Sequence, residues 1–224
     1  MAAHAGPNII EEGLVLCLDA GNERSYPGSG TTWYDLSGNN GHHTLYSASL
    51  TTVDGVQCMD VSSSGKYIAN PSTAFTFGSS HTLIAWARPL ADSQVSTWRT
   101  LWRTTADDHP LLIQNNSNTI GYYDNNVAGF VSYGLNLGTL GLENIWAMFS
   151  LVSNGTTTTL YINEGTTSGS VNYTTAGNSQ DAFGNTDGGS QPFGYVSVGQ
   201  IYNRALTANE VAQNFAALRG RYGI

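Results

Sequence analysis

Three groups of residues in this chain have types and spacing that could support chemistry. In T-T-W-Y-D-L-S-G-N-N-G-H, Thr31 to His42, Asp35, Ser37 and Asn39 alternate as the first oxygen ligands of a calcium loop do. A second group is aromatic. W-R-T-L-W-R holds Trp98 and Trp102 four apart, a spacing that puts both on one face of a strand. G-Y-Y-D-N-N then supplies Tyr122, Tyr123, Asp124, Asn125 and Asn126, flat rings beside amides and a carboxylate. Such a set suits a sugar, which has an apolar ring face and a rim of hydroxyls. The third group is acidic: Glu143, Glu164 and the adjacent pair Asp107–Asp108.

The calcium pattern breaks after its third ligand. The glycine an EF-hand needs arrives one place late, at Gly41, and Tyr46 stands where a bidentate Glu should close the loop. Asp35, Ser37 and Asn39 would make a weak calcium site at most, so the expected element is a structural turn and no cofactor is expected. Glycoside hydrolysis needs two carboxyl groups flanking one bond, about 5–5.5 Å apart in retaining enzymes. No strand here carries alternating acidic residues, and Asp107 and Asp108, as neighbours, would point to opposite faces. His42 and His43 lack a third ligand at metal spacing, and His4, His81 and His109 are scattered. No nucleophile elbow, phosphate loop or dinucleotide fingerprint is present. The expectation is a protein without catalytic activity. For the aromatic group two readings stay open beside the sugar site. Trp98 or Trp102 packs into the core, as Trp86 and Trp146 are expected to, or the set forms a protein–protein contact, where Trp, Tyr and Arg are enriched.

These residues must be positioned by a chain of 224 residues with only 11% charged side chains and 26 glycines. A net charge of -8 offers no basic patch for nucleic acid or for an anionic membrane. No apolar run approaches the ~20 residues of a membrane helix, and M-A-A-H-A-G-P lacks the basic and apolar regions of a secretory signal. Cys17 and Cys58 lie in strand-like runs, as buried free thiols or as one disulfide between neighbouring strands.

Period-2 runs predict strands over Leu14–Asp19, Val56–Val61, Thr82–Arg88, Leu111–Gln114, Trp146–Val152, Leu160–Asn163 and Tyr195–Asn203. Asn154–Gly155 marks a hairpin turn, where positive φ is required. One helix is predicted over Ala208–Arg219. Thr207 and Glu210 form its capping box, Val211, Phe215 and Leu218 its apolar stripe, and Gly220 its left-handed end. Without an internal repeat or a linker, residues 11–224 read as one domain behind an N-terminal arm, residues 1–10.

G-L-V-L-C-L-D-A-G-N, S-Y-P-G-S-G-T-T-W-Y-D-L-S-G-N-N-G, H-T-L-I-A-W-A-R-P, N-I-W-A-M-F-S-L-V and T-T-L-Y-I-N-E-G follow one another in order. This succession resembles laminin-G-like domains of the concanavalin A-like lectin/glucanase superfamily. The closing stretch, I-Y-N-R-A-L-T-A-N-E-V-A-Q-N-F-A-A-L-R-G-R-Y-G-I, is similar to segments of tailed-bacteriophage structural proteins, notably those of phages infecting cyanobacteria. The resemblance implies an all-β, two-sheet antiparallel jelly-roll sandwich with one C-terminal helix. It implies a virion structural protein, a capsid decoration protein or a tail or fibre component assembled in the host cytoplasm without a signal peptide. Its partners would be capsid or tail proteins and further copies of itself. A carbohydrate-binding module or host-surface adhesin is the alternative, with a host glycan as partner. For assembly, Ile9 and Ile10 in the arm are the candidate contacts, with Pro7 holding the arm extended.

Overall fold

A computed structural model describes residues 7–70, 76–125, 128–173, 180–184 and 191–224. Alternating apolar residues form strands β1 (Leu14–Asp19), β2 (Thr32–Trp33), β3 (His43–Tyr46), β4 (Ser49–Val53), β5 (Val56–Val61) and β6 (Tyr67–Ala69). Next come β7 (His81–Pro89), β8 (Arg99–Thr104), β9 (His109–Ile113), β10 (Thr119–Asp124) and β11 (Gly129–Asn136). The last are β12 (Ala147–Ser153), β13 (Thr158–Ile162), β14 (Thr167–Val171), β15 (Gln180–Phe183) and β16 (Gly194–Tyr202), followed by helix α1 (Ala208–Leu218).

They assemble into two antiparallel sheets. The first runs β14–β13–β12–β7–β16–β5–β4, with β1 also paired to β16. The second runs β11–β10–β9–β8–β15–β6–β3–β2. Between them lies one core, which includes Trp33, Leu101, Trp102, Leu111, Ile120, Phe149, Phe183 and Phe193. This is the concanavalin A-like sandwich that the sequence implies. Every strongly periodic run is a strand, with ends shifted by a residue or two.

A second apolar layer covers the far side of the first sheet. Ile84, Trp86, Met148 and Val198 face outward there and are covered by Val211, Phe215 and Leu206. Trp86 lies between two rings, stacked on Tyr222 at 3.9 Å and on Phe215 at 5.5 Å. The helix begins as its capping box predicts. Glu210 N–H donates to Thr207 Oγ1, and Glu210 Oε2 accepts from Thr207 N–H at 2.8 Å. Its end differs from expectation. A 3-10 turn over Arg219–Arg221 continues the helix, and the left-handed backbone falls at Gly223, φ 71°, in place of Gly220. That turn carries Arg221 to Asp19, which accepts two bonds at 2.6 and 2.9 Å, and sets Tyr222 on Trp86.

At the hairpin, Gly155 alone takes positive φ (99°). Asn154 serves by side chain, its Oδ1 accepting from Thr156 N and Thr157 N. Both cysteines are free and buried, so the disulfide alternative does not hold. Burial pushes each thiol up to about 12.

The inner part of the N-terminal arm is held by its own domain. Ile10 N–H donates to Asn214 Oδ1 at 2.7 Å, and Tyr202 O–H donates to Ile10 O at 2.9 Å. Asn214 Nδ2 closes the triangle by donating to Tyr202 Oη at 3.1 Å. Ile10 packs on the layer beneath the helix, and Ile9 is half-buried. Met1–Gly6, the outer part of the expected assembly arm, lies outside the described residues.

Candidate functional site

Six of the seven candidate binding residues are described, and they divide by sheet face. Trp102 and Tyr122 point inward. Trp102 is 1% exposed and contacts Phe183, while Tyr122 is 5% exposed and stacks on Tyr173 at 3.8 Å. Trp98, Tyr123 and Asn125 converge outside, with His109, Leu112 and Gln191, around a pocket of about 250 Å³. Asp124 is half-buried at the end of β10 and does not line it.

The separation of Trp98 from Trp102 corrects the four-residue spacing argument, and a bulge causes it. Opposite β9, Thr100 pairs with Leu112 and Trp102 with Leu111, so β8 carries one residue more than its partner there. A bulge inverts the inside–outside alternation beyond it. Leu101 and Trp102 therefore both enter the inter-sheet core, and Trp98, four residues before Trp102, stays outside. Tyr122 and Tyr123 keep ordinary strand alternation and separate for that reason.

Aromatic packing fixes the outer rings. Trp98 meets Tyr123 edge-on at 6.0 Å and 79°, and meets Phe130 at 5.3 Å and 69°. Phe130 can lie flat because the residue beneath it is Gly121. A Cβ there would stand 2.4 Å from both the Phe130 ring and Val131 O. His109 closes the group, edge-on to Tyr123 at 6.2 Å.

The polar side is fixed as well. Thr100 O–H donates to Gln191 Oε1 at 2.5 Å, so its oxygen accepts from His109 Nδ1, 3.1 Å away. Asp108 anchors the following turn, accepting from Asn125 N–H at 3.0 Å and from Tyr173 O–H at 3.1 Å. Composition and spacing did not single out His109 or Gln191. Their partners lie on other segments of the chain, and no local signal marks them. Asn126 lies outside the described residues.

The remaining candidates are bound into local structure. Asp35 Oδ1 accepts from Cys17 N–H at 2.9 Å and Ser37 N–H at 2.8 Å. Its Oδ2 accepts from Ser37 Oγ at 2.7 Å and Gly41 N–H at 3.1 Å. Asn39 turns its amide nitrogen to Ser37 Oγ and Val15 O. Four donors on one carboxylate make this a corner that ties the loop to β1.

Glu143 Oε1 accepts from Asp92 N–H and Asn118 Nδ2. Those partners surround the buried Arg99 guanidinium, which donates to Leu90 O, Asp92 and Asn118. Burial holds Arg99 below the usual guanidinium range, and Asp92 and Glu143 oppose that shift. Asp107 pairs with Arg103, and Glu164 accepts from Thr166 Oγ1. Among the described residues no three His, Cys, Asp or Glu side chains gather as a metal site.

No curated protein matches the chain. Among solved structures it is similar to the binding domain of Paraclostridial Mosquitocidal Protein 1, with 20% identity, a TM-score of 0.64, and 92% of this chain and 52% of that one covered. The botulinum neurotoxin serotype D ligand binding domain in complex with N-acetylneuraminic acid gives 18% identity and a TM-score of 0.64, covering 92% and 51%. Trypanosoma rangeli sialidase in complex with 2,3-difluorosialic acid gives 15%, 0.64, and 98% and 36%. The chain thus spans about half the length of the toxin binding domains, and at these identities the likeness is one of fold. A family model described as Concanavalin A-like lectin/glucanases superfamily, of the laminin-G type, matches residues 62–212, and the chain belongs to that superfamily.

Proposed function

We propose that this domain is a non-catalytic binding module whose second sheet takes a glycan on its outer face. The observation that carries the reading is the corner formed by Trp98 and Tyr123 over a pocket of about 250 Å³, with amide side chains at its rim. Aromatic rings accept the apolar face of a sugar, and a few placed polar groups fix its orientation. The carboxylates of Asp35, Asp107, Asp108 and Glu143 are engaged in turns, an ion pair and the Arg99 network, which supports a role without hydrolysis. Two proteins of similar fold were solved with sialic acid or a derivative of it, and that agrees with a sugar as ligand. A glycan array tests the reading. Binding to at least one glycan class, lost on Trp98→Ala, is the expected result; silence across a broad array overturns it.

A second proposal concerns setting, and it rests on the closing segment that resembles tailed-phage structural proteins. In this reading the domain sits on a virion, as a capsid decoration protein or a tail or fibre component. Its neighbours there are capsid or tail proteins and copies of itself, held through many modest contacts. Electron microscopy of purified particles tests the setting, and deletion of Ala2–Pro7 tests whether the arm attaches it. The Asp35 corner is proposed to need no cation. A chelator should leave the melting temperature unchanged, and a fall reversed by calcium would overturn that.

A further inference from the structure

The charges around the Trp98 pocket bear on which sugars it accepts. Trp98, His109, Leu112, Tyr123, Asn125 and Gln191 line it, and none is Lys or Arg. On the same strand Arg103 has its guanidinium on Asp107, and its side chain is 3% exposed. Among the described residues, the Asp108 carboxylate stands behind the rim, with Oδ1 accepting from Asn125 N–H and Oδ2 from Tyr173 O–H. An acidic sugar entering here would give up water around its carboxylate, find no Lys or Arg among the described lining residues, and approach the Asp108 carboxylate behind Asn125.

Size and shape narrow the ligand further. A volume of about 250 Å³ lies below the ~300–1,000 Å³ usual for clefts that enclose drug-sized ligands. That suits one ring. Trp98 and Tyr123, 79° apart, give that ring a floor and a wall. With Oε1 turned to the Thr100 hydroxyl, the Gln191 amide is held in one orientation, and Asn125 adds a second amide at the rim. Amides donate and accept, which matches hydroxyls and leaves a carboxylate without a charged partner.

Resting on the glycan reading above, we infer that the pocket takes a single uncharged pyranose and discriminates against sialic and uronic acids. This separates the chain from the fold relatives solved with sialic acid and its derivative.

The test is titration of the full chain, followed by NMR, with methyl glucoside, galactoside and mannoside against N-acetylneuraminic and glucuronic acids. At least one neutral glycoside should bind, at least tenfold tighter than either acid, and Trp98→Ala should remove that binding. Asn125→Arg, which brings a cation to the rim, should raise the affinity for the acids at least threefold. Acid binding equal to or tighter than neutral binding, and sensitive to Trp98→Ala, would overturn this inference while leaving the glycan reading intact. Binding of none of these monosaccharides while the array shows a glycan bound would overturn the single-pyranose inference alone, and silence in both experiments, or binding indifferent to both substitutions, would overturn the glycan reading itself.

Discussion

The outer faces of the two sheets each carry a tryptophan, and the two end in opposite states. On the first sheet Trp86 points outward and is 0% exposed, enclosed between Phe215 and Tyr222. On the second sheet Trp98 also points outward, yet it meets Tyr123 and Phe130 edge-on and borders an open pocket. The difference is an amphipathic helix. The apolar stripe of α1 must be buried, and lying on the first sheet converts that surface into a second core. Aromatic residues that received no such cover remain available to a ligand. One sandwich thus closes one outer face with a helix and leaves aromatic rings uncovered beside a pocket on the other.

The largest expected effect tests the closed face. Phe215→Ala should destabilise the protein by ~3–5 kcal/mol in urea unfolding, the usual cost of removing a buried aromatic ring. A change below ~0.5 kcal/mol, typical of surface sites, would mean that the helix does not cover Trp86 in solution.

On the open face, Gly121→Ala places a methyl group 2.4 Å from the Phe130 ring and from Val131 O. Overpacking of this kind costs ~1–3 kcal/mol. Because Phe130 supports Trp98, sugar binding should fall with it. Normal binding with lowered stability would show that the Trp98 orientation does not depend on Phe130.

Trp98→Ala gives the sharper contrast with Phe215→Ala. Stability should change by ~1 kcal/mol or less, because the ring is half-exposed, while glycan binding is lost. A loss of stability equal to that of Phe215→Ala would erase the distinction between the two faces.

The smallest effect is one of pH at the helix cap. Arg204, which donates two bonds to Glu210, and the Thr207 backbone together lower the Glu210 carboxyl from 4.5 to about 2. A depressed carboxyl stabilises the fold above its unfolded value, and that contribution is lost as pH falls through the folded one. The cap should therefore weaken between about pH 4.5 and 2. Solvent exposure keeps the effect small. In Glu210→Gln the unfolding midpoint should lose that part of its acid dependence, and an unchanged acid profile would contradict the assignment.

Local pattern alone determined the elements that repeat along the chain. Leu14–Asp19, Val56–Val61 and Thr82–Arg88 were legible as strands from their own patterning, and Thr207 with Glu210 starts the helix through bonds within one turn. Weakly patterned strands such as β2, β6 and β15 exist because partners hold them, so they were not legible in isolation. For the site, the sequence determined that rings and amides would lie between Trp98 and Asn125. It did not determine which rings would meet. One extra residue opposite β9 sent Trp102 into the core, and that bulge is a property of the pairing of β8 with its neighbour. His109 and Gln191 join Trp98 through contacts with Tyr123 and Thr100 across strands and loops. Which face stayed open was likewise a tertiary decision. The apolar stripe of α1 specified that it must be covered, and packing against Trp86 and Tyr222 selected the surface that covers it.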